Sequence, residues 1–378
     1  MQDSPFLIKV YDKNFNFKAF VGDPISLVVT PRFNQTGTAA LVVDLDHHAA
    51  PYLLEDGARL VIFLRGQQLM SGKIHRRSAE GPSVDGTLTV YLRDDFRLLH
   101  QVLGWPVPAA DITAQGTSEY ATYTGNAETI AKAVIDANIR LRLGMPVAMA
   151  TNQNRGATVP DGVKFRFHPL YEQLFPAIEQ AGIGITMRQG ADGTGYILCD
   201  VFVPPVFNYT LTEDSGLIAS WSWTDEDPTA TRVVAGGGGE GVARIFRRAT
   251  NTTLETAHRD VVEDFQDARD ADTAALVQTR ATEGLTEGEP KAGFAVQLSE
   301  SANFQYGKNG LVVGAQVTIS IGAVTRTDIL REVTLSYTRD QGLVTTPVVG
   351  DIRDSPDRTI ANFLARLKKG INDLKVSK

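Results

Sequence analysis

Hydrophobic and polar residues alternate with a period of two along the first hundred residues of the chain. That period predicts half-buried β-strands, because successive side chains of a strand point to opposite faces. Gly, Pro and Asp residues suited to tight turns separate the alternating segments. The segments are residues 6–11, 25–29, 40–45, 59–64, 68–74 and 87–92. Short strands with regular turns favour a small β-barrel or sandwich over residues 1–105.

Residues 106–205 combine helical and strand patterns. Residues 126–142 carry a stripe at helical spacing, and Asn126 or Thr124 is suited to cap the start of that helix. The positions of the stripe are Ile130, Val134, Ile135, Asn138 and Leu141. A second helix is expected from Pro169 to Gly182, and a hairpin follows it. We therefore predict an α+β domain inserted between two β-rich blocks.

Strand patterns return over residues 206–350 and predict a second β-barrel domain. A polar, acidic segment near residues 251–290 interrupts this block and has helical spacing. Trp221 and Trp223 alternate within one predicted strand, so their side chains share a face. That arrangement fits either a buried core or an exposed aromatic surface, and the core is the favoured interpretation.

The last segment, residues 351–378, predicts a C-terminal helix that begins near Ser355. Its apolar positions are Ile360, Phe363, Leu364, Leu367, Ile371 and Leu374. An isolated helix of roughly 18 residues is marginal in water, so this apolar stripe must pack against something. Docking on its own domain and packing against symmetry mates around an axis are both open. The fold class is therefore a β-rich α+β protein with two barrels, an insert and a docking helix.

The charge of the chain argues against a nucleic-acid-binding surface. The formal net charge is −7 at pH 7, whereas nucleic-acid-binding surfaces are basic. An acidic surface is compatible with letting DNA pass without sticking, because carboxylates repel phosphates. The N-terminus lacks a signal-peptide pattern, and no window approaches the roughly 20 apolar residues of a membrane span. We expect the protein to be made and used in solution.

Several polar clusters are candidate sites of chemistry. Asp44, Asp46 and His48 would share one face of a strand, but a strand end more often carries solvated side chains. The glycine run at residues 236–239 follows a strand, yet it lacks a Walker lysine and precedes another apparent strand, which favours a β–β connection. Cys199, the one cysteine, is expected to be a buried thiol.

Adjacent carboxylates occur at residues 94–95 and 225–227, as a glycosidase would need. With 44 acidic residues in the chain, such neighbours arise by chance, and they are expected to be solvated turn residues. Recognisable nucleophile motifs are absent from the sequence. We therefore expect no catalytic, cofactor-binding or metal-binding residue, and no enzymatic activity.

The order of the parts, together with four local strings, resembles the hub proteins at the tip of contractile and long non-contractile phage tails. More narrowly, the chain is similar to minor tail proteins of siphophages that infect actinobacteria. The strings that carry the resemblance are residues 93–99, 181–185, 228–237 with 244–246, and 329–350. The likeness extends over nearly the whole chain.

The resemblance implies a ring that is expected to be a homotrimer. With two similar barrels in each subunit, the ring would present six barrels and so connect a sixfold tail tube to a threefold tip. Such a hub would link the tube to tip or receptor-binding proteins and surround the DNA exit channel in the virion. The implied partners are further copies of the chain, the distal tail protein, the tape measure protein and other minor tail proteins. DNA would only pass through the lumen.

Two other functions remain open at the level of sequence. A tail-associated protein that binds or degrades cell-wall glycans could use the α+β insert and exposed tryptophans. A cytoplasmic enzyme of unknown type is disfavoured, because nothing in the sequence positions a nucleophile or a base.

Overall fold

The alternating segments at the start of the chain are β-strands in a computed structural model, which describes residues 4–82, 85–269, 271–298, 305–308 and 310–350. Strands separated by tight turns account for most of the first hundred residues. The elements are β1 (Phe6–Tyr11), β2 (Phe17–Val21), β3 (Ser26–Thr30), β4 (Thr38–Asp44), α1 (Ala50–Leu53), β5 (Arg59–Leu64), β6 (Gln67–Glu80), β7 (Thr87–Asp94) and α2 (Arg97–Gln101).

The middle of the chain alternates between helices and short strands, as its sequence predicts. The elements are β8 (Leu103–Gly104), β9 (Ala121–Asn126), α3 (Ala127–Ile135), β10 (Val147–Met149), β11 (Thr158–Phe165), β12 (His168–Pro169), α4 (Leu170–Gln180), β13 (Gly184–Gln189) and β14 (Ile197–Phe202). A 3₁₀-helix covers Ile112–Thr117, and a π-helix, Asp136–Leu141, continues directly from α3.

The rest of the described chain is again rich in strands. Its elements are β15 (Val206–Thr212), β16 (Ile218–Glu226), β17 (Arg232–Gly236), β18 (Phe246–Thr250), α5 (Thr252–His258), β19 (Glu263–Asp267), α6 (Ala274–Glu287), β20 (Lys291–Leu298), β21 (Gln316–Ile321), β22 (Val324–Thr338) and β23 (Gly342–Gly350). The predicted C-terminal helix and its six apolar positions lie outside the described residues. No helix in the described ranges is long and apolar enough to cross a membrane.

The chain divides into two units. The first unit contains residues 1–221 and 295–349. The described residues of the second unit are 222–269, 271–294 and Gly350. The predicted domain boundaries at residues 105, 205 and 350 rest on changes in the sequence pattern, whereas the two units rest on contacts in the structure. These boundaries stay a prediction.

A thirteen-stranded sheet among the described residues joins the N-terminal β block to the β block of residues 206–350. Its main path is β16-β20-β23-β22-β3-β4-β7-β6-β5-β1-β2, and β15 and β21 attach through β22. The junction is the antiparallel pairing of β22 with β3, which sets Leu335 opposite Val29 and Tyr337 opposite Leu27. The β-rich fold class is thereby confirmed. A closed barrel is not shown, and the division into two barrels stays a prediction.

The core of the N-terminal block follows from the alternation seen in the sequence. Ile8 and Val10 of β1 are fully buried, whereas Leu7 of the same strand is 42% exposed. Burying such aliphatic side chains stabilises a fold by about 1.5–3 kcal/mol each. The hydrophobic pattern therefore fixes which face of each strand points inward, since a slip of one residue would expose the whole apolar set.

The first helix of the α+β segment begins where its cap predicts and then departs from the predicted periodicity. The Asn126 side chain accepts a hydrogen bond from the Thr129 N–H at 2.9 Å, which confirms Asn126 as the cap. Ile130 and Val134 are buried, but Leu141 is 63% exposed. The π-helix explains this error, because its wider turn rotates Leu141, its last residue, away from the α-helical stripe.

The second unit contains a three-stranded sheet of order β18-β17-β19 with α6 packed on it. The helical spacing predicted within residues 251–290 is confirmed by α6, whose Val277 and Ala281 are fully buried. A strand was not predicted in that segment, but β19 pairs in parallel with β17. The helix α5 supplies the crossover that a parallel pair requires.

A close approach of two strands makes Gly72 of β6 a sensitive position. A Cβ atom there would lie 2.1 Å from the carbonyl oxygen of Arg93, a backbone atom that cannot swing aside. We expect Gly72→Ala to lower the free energy of unfolding by about 2–4 kcal/mol, measured by chemical denaturation. Gly22→Ala is the matched control, because no atom lies within 4 Å of its Cβ position. Equal stability of the two variants would contradict the strand packing.

Candidate assembly surfaces

Strand β2 ends the large sheet and carries exposed aromatic side chains. In the described structure β2 is paired with β1, and its other edge ends the strand order of the sheet. Ala19 and Val21 point into the core, whereas Phe17 and Phe20 are 43% and 46% exposed. Their ring centroids lie 4.6 Å apart, so the two rings form one continuous surface.

The neighbouring strands extend this surface. The register places Phe20 opposite Lys9, and Leu7 opposite Phe63 of β5. The Lys9 ammonium lies 5.4 Å from the Phe63 ring and 6.0 Å from the Phe20 ring, and it is held by Asp192 at 2.6 Å. We call Leu7, Phe17, Phe20 and Phe63 the β2 patch. An exposed apolar patch at a terminal strand is typical of a protein–protein contact.

Strand β16 ends the same sheet on its opposite side. Trp221 and Trp223 are 41% and 45% exposed. Their interpretation as core residues is therefore wrong. Both residues occupy one strand, as predicted, but alternation alone does not tell which face of a strand is covered.

The adjacent carboxylates at residues 94–95 are not solvated turn residues. Asp95 is fully buried, and its carboxylate accepts hydrogen bonds from the Arg59 Nη2 at 2.6 Å and from the Ser71 hydroxyl at 2.8 Å. Arg59 is itself 5% exposed, and its Nε donates to the Gln189 side chain at 3.1 Å. The expectation that this pair is solvated is wrong, because the chain buries it between β5, β6 and β13.

The two carboxylates of this pair have different surroundings. Asp94 accepts the Gly37 N–H at 2.9 Å through Oδ2, and its Oδ1 is buried without a hydrogen-bond partner among the described residues. Burial raises the pKa of the Asp94 carboxyl well above its usual range, and the neighbouring Asp95 charge acts in the same direction. Asp95 also has a buried Oδ1 without a hydrogen-bond partner among the described residues, but its Oδ2 is held by the Arg59 guanidinium and the Ser71 hydroxyl. These contacts give the pair a role in packing.

The other predicted sites have structural explanations. Strand β4 ends at Asp44, so Asp44, Asp46 and His48 do not share a strand face. Asp44 accepts a hydrogen bond from Arg339 at 2.9 Å, and Asp46 and His48 are exposed. Across the described ranges, no group of three or more His, Cys, Asp or Glu side chains could hold a metal ion.

The glycine run and the cysteine behave as the sequence predicts. Residues 236–239 lead from β17 into the antiparallel strand β18, which confirms a β–β connection. The Arg244 guanidinium donates to the carbonyl oxygens of Gly236 and Gly237 at 2.9 and 3.1 Å and thereby holds the loop. Cys199 is fully buried, and burial raises its thiol pKa to about 12, which confirms an inert buried thiol.

A family model described as Siphovirus ReqiPepy6 Gp37-like protein matches residues 7–351. The chain belongs to this family. It is a family of siphovirus tail proteins, so the chain is a component of the virion tail. The predicted resemblance to siphophage tail proteins is confirmed. No curated protein sequence matches the chain.

Solved structures of tail proteins share the fold of this Gp37-like chain. The 43 kDa tail protein of prophage MuSo2 from Shewanella oneidensis is 12% identical with a TM-score of 0.59, over 92% of this chain and 100% of that one. The tail protein from Neisseria meningitidis MC58 is 12% identical with a TM-score of 0.55, over 92% and 96%. Prophage tail protein gp18 from Listeria monocytogenes EGD-e is 11% identical with a TM-score of 0.53, over 96% and 99%.

The contrast between the two adjacent carboxylates yields a stability test. Asp95→Asn leaves Arg59 buried without a counter-ion, and we expect a loss of about 3–5 kcal/mol in unfolding free energy. Asp94→Asn keeps an oxygen for the Gly37 N–H and removes a charge that burial disfavours, so stability at pH 7 should be unchanged or higher.

The pH dependence has a defined sign. The pKa of Asp94 is higher in the folded protein than in the unfolded chain, where it is about 3.9. The protonated carboxyl therefore contributes fully to the free energy of unfolding below about pH 3.9, and this contribution is lost as the pH rises through the folded-state pKa. Chemical denaturation should therefore show that the free energy of unfolding of Asp94→Asn increases relative to that of the natural chain as the pH rises above about 4. A larger loss from Asp94→Asn than from Asp95→Asn at pH 7 would contradict these roles.

Proposed function

We propose that this Gp37-like chain is a hub of the phage tail tip, where three copies form a ring around the DNA exit channel. The ring links the tail tube to tip or receptor-binding proteins. Its neighbours in this proposal are the distal tail protein, the tape measure protein and other minor tail proteins. The role is structural rather than enzymatic.

Membership of a siphovirus tail protein family over residues 7–351 supports the location of the proposed hub. The β2 patch is the observation that carries the proposed ring. A terminal strand with exposed main-chain groups and aromatic side chains is a template for pairing with another chain, and soluble proteins normally block such edges with charge or proline. Strand β2 contains no proline, and its one charged residue, Lys18, is paired with Asp12 at 3.2 Å. We therefore propose a second copy of the chain as the occupant of this edge.

A closed ring of identical subunits requires two different complementary surfaces on each subunit. The β2 patch supplies one, and the exposed Trp221 and Trp223 lie on β16, the strand at the other end of the same sheet. Aromatic side chains are enriched in the buried centre of such interfaces. We propose that the β2 end of one copy meets the β16 end of the next.

The finer features of the hub extend this proposal. Two barrel-like domains per subunit, residues 1–105 and 206–350, would give six similar domains in a trimer. The net charge of −7 supports a lumen that DNA traverses without sticking. Residues 351–378 are proposed as a helix that docks on a neighbouring subunit or on a partner tail protein, through its stripe of apolar residues.

A second candidate function is binding of cell-wall glycans, and the exposure of Trp221 and Trp223 favours it. Tryptophan faces are large apolar surfaces with a polar N–H, and they suit ligands that combine apolar and polar faces. The same two side chains would then contact sugar rather than another subunit.

The ring proposal predicts the effect of charge on the β2 patch. The double variant Phe17→Lys and Phe20→Lys should stay monomeric, because lysine on a terminal strand opposes edge-to-edge pairing. The natural chain should reach about three times the 41.0 kDa mass of one chain, measured by light scattering after size-exclusion chromatography. Both rings are partly buried, and Phe20→Lys places a second ammonium opposite Lys9, so the unfolding free energy should fall by about 1–2 kcal/mol while the variant stays folded.

Ile112→Lys is the matched control, because Ile112 is 58% exposed and lies in the 3₁₀-helix rather than at the sheet edge. It should assemble as the natural chain does. Trimers of unchanged mass in the double variant, or a strictly monomeric natural chain at high concentration, would overturn the proposed interface.

The two candidate functions predict different results with purified cell wall. Under the hub proposal, the chain releases no soluble sugar or peptide, and Trp221→Ala with Trp223→Ala abolishes assembly. Under the glycan proposal, the natural chain sediments with cell wall and the double variant loses about tenfold or more of that binding while its assembly is unchanged. Co-sedimentation, reducing-sugar assay and light scattering on the same samples separate the two.

A further inference from the structure

The first unit contains a cavity of about 580 Å³ that no role in assembly explains. Its walls come from the N-terminal block, from the β13–β14 hairpin and from residues 306, 307, 312 and 313. Polar side chains from each region line it, among them Gln68, Asp94, Arg188 and Tyr306, beside apolar ones such as Phe96. A volume of this size lies within the range of about 300–1,000 Å³ that is typical of small-molecule sites.

Arg188 is the notable cation of this cavity. It lies on β13 between the buried residues Met187 and Gln189, and Arg188 itself is an exposed residue that lines the cavity. It makes no hydrogen bond or ion pair with any residue that the structure describes. The surrounding protein desolvates the guanidinium and lowers its pKa from the usual value, although Tyr306, Asp94 and Asp200 act in the opposite direction. Such a guanidinium favours an anionic ligand.

The other charges near the cavity are already compensated. Arg32 is paired with Glu332 at 2.9 Å, and Asp200 lies 3.3 Å from the Arg155 guanidinium. Asp94 is not paired with Arg188, and its buried Oδ1 has no hydrogen-bond partner in the described part of the chain. Because burial favours the neutral form of Asp94, this carboxyl can donate its own proton to a ligand oxygen.

We infer that this cavity binds a carboxylate group, held by the Arg188 guanidinium and flanked by the Asp94 carboxyl. The planar fork of an arginine matches a carboxylate with two parallel hydrogen bonds. One available cation matches a single negative charge, whereas phosphate sites usually gather several donors. The Phe96 and Phe202 side chains in the walls suit the apolar body of an organic acid. This inference does not depend on the proposed hub function.

The carboxylate can come from a free organic acid or from an acidic side chain of another protein, and two probes distinguish these sources. Benzoate represents the free acid, and N-acetylaspartate amide represents the side chain. Benzamide is the neutral match of benzoate, and inorganic phosphate tests the competing anion. Calorimetry on the full-length chain should show saturable binding of at least one carboxylate probe at or below about 10 mM, with benzamide and phosphate at least about tenfold weaker.

Variants of the arginine test the site itself. Arg188→Met should weaken binding of the carboxylate probe by about tenfold or more. The affinity of Arg188→Lys should lie between those of the natural chain and Arg188→Met, because lysine keeps the charge but lacks the planar guanidinium. Arg166→Met is the matched control, since Arg166 is on the same unit, is 53% exposed and is absent from the cavity wall. Thermal unfolding of each variant shows that it is folded.

Several results would overturn the inference. They are equal affinity for benzoate and benzamide, tighter binding of phosphate, unchanged affinity in folded Arg188→Met, and no saturable binding of either carboxylate probe. Assembly through the β2 patch does not involve Arg188, so the Arg188 variants should have the same assembled mass as the natural chain. Light scattering on these variants therefore distinguishes a failure of the carboxylate site from a failure of the hub proposal.

Discussion

The buried ion pair between Arg59 and Asp95 is the interaction on which the first unit depends. It joins the end of β7 to β5 and, through Gln189, to β13 of the α+β segment. The Gln189 N–H also donates to the Ser71 hydroxyl at 2.6 Å, and that hydroxyl donates to Asp95. Burying two charges costs several kcal/mol, so such a pair adds little net stability, but losing either partner leaves an uncompensated charge. The pair therefore specifies how the hairpin docks on the N-terminal strands.

The same contact determines what lies on either side of it. Gln189 and Asp95 are fixed by the pair, and their chain neighbours Arg188 and Asp94 line the cavity. Asn34 adds a second connection, since its side chain accepts the Ile185 N–H at 2.9 Å and donates to the Ile183 carbonyl oxygen at 3.1 Å. The geometry of the cavity is thus a consequence of how β13 is held.

The sheet supplies the other organising constraint. Pairing of β22 with β3 makes one sheet from two distant parts of the chain, and it leaves β2 and β16 as the terminal strands of its main path. Aromatic side chains are exposed at both ends. A sheet that ends in this way is suited to continue into a neighbouring molecule, which links the fold to assembly in a phage tail.

Local chemistry made part of this structure predictable. The Asn126 cap, the buried Cys199 and the β–β connection at residues 236–239 each follow from neighbours in the sequence. The β-rich class and the tail protein family were also accessible, because they rest on patterns spread along the whole chain.

Features that depend on distant residues were not predictable. Asp95 is buried because Arg59 pairs with it from another strand, and no residue close to Asp95 in the sequence indicates that pairing. Strand β19 is polar and acidic, so its parallel pairing with β17 leaves no hydrophobic signal. The exposure of Trp221 and Trp223 depends on which face of β16 is covered, which alternation alone does not reveal.

Electron cryomicroscopy of intact tails is the most direct test of the hub assignment. Density for this chain should appear as three copies around the tail axis, with Phe17 and Phe20 buried against a neighbouring copy and the DNA exit channel at the centre. A single copy, or a peripheral position with these two side chains in solvent, would contradict the assignment.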